Sequence, residues 1–179
     1  CEVNVNCEEG QNWQNQKQGV VKLYAKVGSS YFWCSGVILN NTKQDFNGLL
    51  LTAAQCSKSF GGGISSDEDL SQWIFYFNYE SPGCITSGAP TQTIVGATRI
   101  ATSETPSNIG SDFLLLKFQS EIPAKYNPYY CGWDAGTGNS LSGVCIHHPD
   151  GDVKKISTYT APLGSGTWGS TPDTHWIVH

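Results

Sequence analysis

The residues best placed for chemistry in this sequence lie at the end of one short apolar strand. The segment LLLTAAQC, from Leu49 to Cys56, has three leucines and a threonine, and two alanines then lead to Gln55 and Cys56. A side chain at this point sits just beyond a buried strand end, where a disulfide at Cys56 would fix it. Such a position suits a catalytic group at the mouth of a β-barrel, but the group here is a carboxamide. We call Gln55 and Cys56 the Gln55 corner.

Asp112 is a second candidate, because it opens the apolar run DFLLLKF that ends at Phe118. A carboxylate at the head of a buried strand needs a polar partner, since an unpaired buried charge is costly. The simpler interpretation is that Asp112 caps the strand or accepts backbone hydrogen bonds. The sequence therefore offers Asp112 as an acid that could orient another side chain.

The histidines do not form a convincing metal site. His147 and His148 follow Cys145 closely, but neighbouring residues of a strand point to opposite faces of the sheet. His175 and His179 would meet on a helix, whereas on the predicted strand they are roughly 13 Å apart. We expect neither a metal ion nor another cofactor.

Composition limits the classes of function. The chain has 179 residues, of which 39% are hydrophobic, and a net charge of −5. This predicts one domain over residues 1–179 with a single sizeable core. The absence of basic clusters argues against a nucleic-acid partner. No apolar run approaches the roughly 18 to 20 residues that a transmembrane helix needs.

The cysteines indicate an oxidising location. Seven cysteines without a CxxC pair favour disulfides over a zinc or redox centre, so we expect a secreted or cell-surface protein. The absence of methionine and the first residue, Cys1, suggest a processed mature form. The odd number leaves one thiol without a partner, and lipidation of Cys1 is one explanation. Cys131 and Cys145 could link neighbouring strands.

Short strands must position these residues. Residues 21–27 alternate apolar and polar side chains, as a half-buried strand does. Many such segments separated by turn signals predict an all-β barrel or sandwich. Residues 8–18 are predicted to be a loop, and the glycines near Trp168 predict another, with Ser165 in an ordinary turn. The predicted strands cover residues 21–27, 31–39, 49–52, 73–79, 93–100, 112–118, 144–147, 153–159 and 174–178.

Two of these segments resemble the active-site segments of trypsin-like serine proteases. TAAQC at Thr52 to Cys56 differs by one residue from the TAAHC around their general-base histidine, and SDFLLLKF at Ser111 to Phe118 resembles the segment with their buried triad aspartate. Other collinear segments are similar to bacterial lysyl endopeptidases in particular. They are CEVNVNCEEG, WCSGVILNNT, FYFNYESPGC, CGWDAG, IHHPDGDVKKIS, TWGS and THW.

The resemblance implies a trypsin-like double Greek-key β-barrel whose second barrel lacks its C-terminal part or receives it from another segment. Asp112 takes the position of the buried triad acid, Gln55 that of the general base, and Trp168 that of a tryptophan beside the substrate pocket. That tryptophan would favour a lysyl side chain by stacking, or it would simply cover the core. The serine nucleophile of the family belongs to a Gly-rich loop after the segment that ends here at His179.

The resemblance also implies a pattern of disulfides. Cys34 would pair with Cys56, and Cys7 with Cys84. Cys1 would pair with a cysteine beyond the nucleophile, in a C-terminal segment or in a separate disulfide-linked subunit. This makes lipid anchoring through Cys1 the weaker interpretation.

Gln55 decides the expected function. A carboxamide cannot take a proton from serine and return it near neutral pH, as a triad base must. We therefore expect a catalytically inactive homologue, a pseudoprotease that serves as a secreted binding or structural module for a peptide or protein ligand. One alternative is a lysyl-type serine endopeptidase seen as a fragment or with an engineered or misread Gln55. Another is a secreted accessory subunit of a larger complex.

Overall fold

The computed structural model describes residues 2–103, 111–136, 138–168 and 171–178, with only the backbone of Trp168 and Thr171. Over these residues β-strands make up most of the regular secondary structure, as the sequence predicts. Its strands are β1 (Val3–Asn4), β2 (Val20–Val27), β3 (Ser30–Leu39), β4 (Leu49–Ala53), β5 (Ile74–Phe77), β6 (Gln92–Val95), β7 (Ala97–Thr102), β8 (Phe113–Phe118), β9 (Gly143–His147), β10 (Lys155–Tyr159), β11 (Gly164–Trp168) and β12 (Thr171–Ile177).

Helices are short throughout the described part of the chain. One α-helix, α1, covers Asp67–Leu70, and its first turn is held by a capping box between Ser66 and Asp69. The described 3-10 helices are Glu8–Trp13, Gln16–Gly19, Ala54–Ser57, Ala124–Tyr126 and Pro149–Gly151. Among the described residues, no helix has both the length and the apolar character needed to cross a membrane.

The largest sheet is antiparallel and has seven strands in the order β6-β5-β2-β3-β4-β8-β7. Its two edge strands, β6 and β7, follow each other in the chain with only Gly96 between them. The sheet therefore curls so that its two edges approach each other. Gly96 has φ +89, and a Cβ atom there would lie 2.3 Å from Oε1 of Gln119. This position requires glycine, which is why the predicted strand 93–100 is in fact two strands.

The core is built from alternate residues of this sheet together with Leu70 of α1 and Trp73, which lies between α1 and β5. Each fully buried Leu, Ile or Phe side chain contributes about 1.5–3 kcal/mol relative to an exposed one. The completely buried members of the core are Val21, Leu23, Ala25, Ile38, Leu50, Leu70, Trp73, Phe75, Leu114 and Leu116. This packing fixes the register of β4 and β8, the two strands that carry the candidate site.

A three-stranded antiparallel sheet, in the order β1-β10-β9, holds the first residues of the chain. Lys154, just before β10, is fully buried, and its Nζ atom is 3.2 Å from Oε2 of Glu80. The other carboxylate oxygen of Glu80 is 2.6 Å from Nζ of Lys17. Burial lowers the pKa of Lys154 to about 8, and Glu80 opposes that shift. The Glu80 carboxylate therefore links Lys17, in the N-terminal segment, to Lys154, the residue just before β10.

Two loop predictions are wrong. Residues 8–18, predicted as a loop, form most of the 3-10 helices Glu8–Trp13 and Gln16–Gly19. The glycine-rich segment before Trp168 is strand β11, which pairs with β12. Its glycines allow a close approach between the strands, since a Cβ atom at Gly166 would lie 2.7 Å from Cγ1 of Ile177. Ser165 therefore lies in a strand and not in a turn.

Candidate functional site

The Gln55 corner lies where β4 ends in the 3-10 helix Ala54–Ser57. Ala54, Cys56 and Ser57 are buried, and Gln55 alone in this helix is exposed. A disulfide joins Cys56 to Cys34 on the neighbouring strand β3, with a Cα–Cα distance of 6.2 Å. The corner therefore holds its exposed side chain on a rigid support, as the sequence predicts.

Asp112, the residue just before β8, holds the same corner. Its Oδ1 atom accepts a hydrogen bond of 2.9 Å from the backbone N–H of Gln55, and its carbonyl accepts one of 3.0 Å from the N–H of Ala54. The pairing of Ala53 with Phe113 in β4 and β8 brings these groups together. Asp112 has φ 51, a left-handed conformation that Asp and Asn adopt more readily than most residues.

The structure places Asp112 and Gln55 together but corrects one expectation. The resemblance implies a buried acid. Asp112 is instead half-buried among the described residues, because it sits at the exposed entrance of β8. Its contact with Gln55 goes to the backbone of that residue. A carboxamide can donate and accept hydrogen bonds, but it has no protonation equilibrium near neutral pH. The arrangement can therefore orient a bound group but cannot relay a proton through Gln55.

A shallow cavity of about 340 Å³ opens beside Gln55. Phe60 is 100% exposed, and its ring packs edge-on against Phe32 with a centroid distance of 5.7 Å. Sequence reasoning missed both rings. The signal for Phe32 was available, since it lies two residues before Cys34 on β3 and hence on the same face. The lining residues are Phe32, Cys34, Gln55, Cys56, Lys58, Ser59 and Phe60.

The remaining candidate residues have mixed outcomes. Trp168 lies at the end of β11, and its side chain is outside the described part of the structure. Ser165 also lies on β11, and its hydroxyl donates to Oδ1 of Asp173 at 2.5 Å. His175 is on β12, whereas His179 lies outside the described residues.

The two disulfides implied by the resemblance, Cys7–Cys84 and Cys34–Cys56, are confirmed. A link between Cys131 and Cys145 is wrong, because both are free thiols. The backbone of Cys131 bonds to the end of β3, whereas Cys145 lies on β9 in another sheet. Cys1 lies outside the described residues, so its pairing stays a prediction.

Comparison with known proteins assigns the family. The family described as "Lysyl endopeptidase, C-terminal domain" matches residues 1–179. The chain belongs to this family. A curated relative, the lysyl endopeptidase of Pseudomonas aeruginosa strain PAO1, is 28% identical in an alignment 164 residues long that covers 88% of this chain. The chain spans about a third (33%) of that relative's length.

Solved structures confirm the fold of the chain. One is the protease Anisep from Arthrobacter nicotinovorans. The match covers 92% of this chain and 79% of the Anisep chain, with a TM-score of 0.61 and 14% identity. Another is a thermostable serine protease from an extremophilic microorganism. The match covers 91% of this chain and 79% of that protease chain, with a TM-score of 0.58 and 13% identity. The predicted trypsin-like β-barrel fold is thereby confirmed. The roles of Gln55, Asp112 and Trp168 stay predictions.

Proposed function

We propose that this domain is a catalytically inactive serine protease homologue that binds an extended peptide or protein segment at the Gln55 corner. The observation that carries the proposal is the hydrogen bond from the Gln55 backbone to Asp112, at 2.9 Å. Asp112 supports the backbone of the corner at which the resemblance puts a triad base, while the Gln55 side chain at that point cannot accept a catalytic proton. The support for a base is present without the base.

Binding is the use that this geometry supports. Phe60 is fully exposed beside a rigid disulfide and the exposed carboxamide of Gln55. Aromatic side chains that line a concave surface are typical of a ligand-binding site. The carboxamide of Gln55 can pair with both the N–H and the C=O of an extended peptide, and the aromatic pair Phe32 and Phe60 can cover an apolar side chain.

We place this activity outside the cytoplasm, in a secreted or cell-surface protein of bacterial origin. The two disulfides support this location, because such bonds persist in oxidising compartments. The partner is a peptide or protein. A C-terminal segment or separate subunit linked through Cys1 is part of the same proposal, and it would make this domain an accessory subunit of a larger complex.

A second candidate function is lysyl-specific peptide hydrolysis. The family assignment favours it, because it is shared with the Pseudomonas aeruginosa lysyl endopeptidase. This function requires a proton acceptor other than Gln55. Labelling by a fluorophosphonate probe together with rapid turnover of a lysyl substrate would establish it in place of the binding function.

Peptide binding is tested by calorimetry with short peptides that contain or lack a lysine. Phe60→Ala should weaken binding about tenfold, because the loss of an aromatic contact of this size corresponds to about 1.5 kcal/mol. Ile85→Ala is the matched control, since Ile85 is 86% exposed and does not line the cavity at the Gln55 corner. Equal affinities for the two variants and the natural protein would overturn binding at this cavity.

A further inference from the structure

A cysteine, a histidine and a glutamate meet on the three-stranded sheet, which is not the sheet of the Gln55 corner. Cys145 and His147 are two residues apart on β9, so the period of two in a strand places both side chains on one face. Glu2 precedes β1, on the far side of β10. Its Oε2 atom is nevertheless 3.3 Å from Nε2 of His147. The fold thus joins Glu2, near the start of the chain, to two groups on β9.

These groups have the order of a nucleophile, a base and an orienting acid. Cys145 is an exposed free thiol, and the His147 side chain is 25% exposed. Nδ1 of His147 is buried and has no hydrogen-bond partner of ordinary geometry among the described residues. Interaction with the Cys145 thiol raises the pKa of His147, and Glu2 raises it further against the effect of burial. The imidazole is therefore a better proton acceptor than an isolated histidine.

Lys155 is the other charged group opposite His147, on β10. Its ammonium group is already occupied, because Nζ donates to Oδ1 of Asn4 at 2.7 Å and lies 3.2 Å from Oδ2 of Asp152. Lys155 therefore does not compete with Cys145 for the imidazole. The interactions among Cys145, His147 and Glu2 are therefore not disturbed by Lys155.

An acidic cavity of about 820 Å³ adjoins the cluster through Glu2. Glu2, Asp150 and Asp152 line it together with a single cation, Lys155. Since Lys155 offsets only one of these carboxylates, the cavity has a net negative charge. Such a field concentrates small cations beside the cluster and repels anions.

We propose that Cys145, His147 and Glu2 form a second reactive site, in which the Cys145 thiol exchanges with small, positively charged disulfides to form a mixed disulfide. His147 takes the thiol proton, and the Cys145 sulfur attacks one sulfur of the small disulfide. A new S–S bond to Cys145 forms while the S–S bond of the small molecule breaks. The departing thiolate takes the proton back from His147, so that one small thiol is released. This site is independent of the binding function proposed for the Gln55 corner.

The size of the His147 effect follows from thiol chemistry. An ordinary cysteine has only about 3% thiolate at pH 7, so full ionisation could raise the exchange rate at most about thirtyfold. Part of this gain is lost because a less basic thiolate is a weaker nucleophile. We expect His147→Gln to slow exchange at pH 7 by about threefold to tenfold. The exchange rates of the natural protein and of His147→Gln should converge above about pH 9.5, where an ordinary thiol is ionised without a base.

The experiment follows the reaction by intact mass, in the presence of a chelator. The probes are cystamine, which is a dication, and hydroxyethyl disulfide, which is neutral. Cys145→Ser should abolish rapid modification, whereas Cys131→Ser should not, because Cys131 is half-buried and burial raises its pKa. Glu2→Gln should lower the rate with cystamine more than the rate with hydroxyethyl disulfide.

Three results would overturn the proposal. The first is a disulfide between Cys145 and another cysteine of the native chain. The second is an equal rate at pH 7 for the natural protein and His147→Gln, with both folded by circular dichroism. The third concerns the ratio of the exchange rate with cystamine to the exchange rate with hydroxyethyl disulfide. The proposal fails if this ratio is no greater for the folded protein than for the same protein unfolded in guanidinium. Should His147→Gln fail to fold, the pH profile of the natural protein decides, since an ordinary unassisted thiol titrates near pH 8.5.

Discussion

Replacing Asp112 tests how the Gln55 corner is held together. We compare Asp112→Ala, which removes the whole carboxylate, with Asp112→Asn, which keeps an acceptor oxygen of nearly the same shape. The side chain accepts the N–H of Gln55 at 2.9 Å, and the backbone has φ 51. Alanine therefore loses the hydrogen bond and must also adopt a left-handed conformation. Asparagine loses only the charge.

The expected magnitudes can be worked from these two contributions. A hydrogen bond to a charged group contributes about 1.5–3 kcal/mol, and the lower end applies because Asp112 is only half-buried. A left-handed conformation costs most residues about 1 kcal/mol more than it costs Asp or Asn. Asp112→Ala should therefore lower the free energy of unfolding by about 2–3 kcal/mol, and Asp112→Asn by about 1 kcal/mol or less.

Urea unfolding followed by tryptophan fluorescence measures both changes, since the chain has six tryptophans. The m-value should stay the same for all three proteins, because the variants should not alter the surface exposed on unfolding. Equal stabilities for Asp112→Ala and the natural protein would refute the view that Asp112 anchors the corner. A larger loss for asparagine than for alanine would refute the role given to its backbone conformation.

Two further predictions concern buried charge and acid sensitivity. Glu80→Gln should lower the free energy of unfolding by about 3–5 kcal/mol, because it leaves the fully buried Lys154 without its carboxylate. Urea unfolding measures this change. Glu121→Gln, at an exposed position, is the control and should have little effect. Backbone N–H donors lower the pKa of Asp69 from 3.8 to about 2, so its carboxylate stabilises the fold above about pH 4 and loses that effect as pH falls towards 2. The stability difference between the natural protein and Asp69→Asn should shrink over that range, and a constant difference would contradict the assignment.

The strands were predictable where one face of the sheet is buried. β2 follows the alternation of residues 21–27 because its inward side chains fill the core. The break at Gly96 was not predictable from alternation, since it depends on a close contact with Gln119, which follows β8 and is distant in sequence. β11 was missed for a similar reason, because glycines that usually indicate a loop here allow two strands to approach.

The candidate site was predictable only in part. The resemblance brought Asp112 and Gln55 together, and the structure places them in contact. It did not indicate that Phe60 stands exposed beside them, because that position depends on the loop after the disulfide. The contact between Glu2 and His147 depends on the register of β1, β10 and β9. The erroneous Cys131–Cys145 link shows the same limit, since sequence does not say which sheet a cysteine joins.

The most direct test of the proposed inactivity is the turnover of a lysyl amide substrate by the natural, full-length protein that carries this domain and by its Gln55→His variant. Loss of the triad histidine costs a serine protease on the order of a millionfold in turnover. We therefore predict no hydrolysis above the blank with Gln55 in place, and any gain in Gln55→His would assign the inactivity to this residue. Rapid, fluorophosphonate-sensitive hydrolysis by the natural protein would contradict the account.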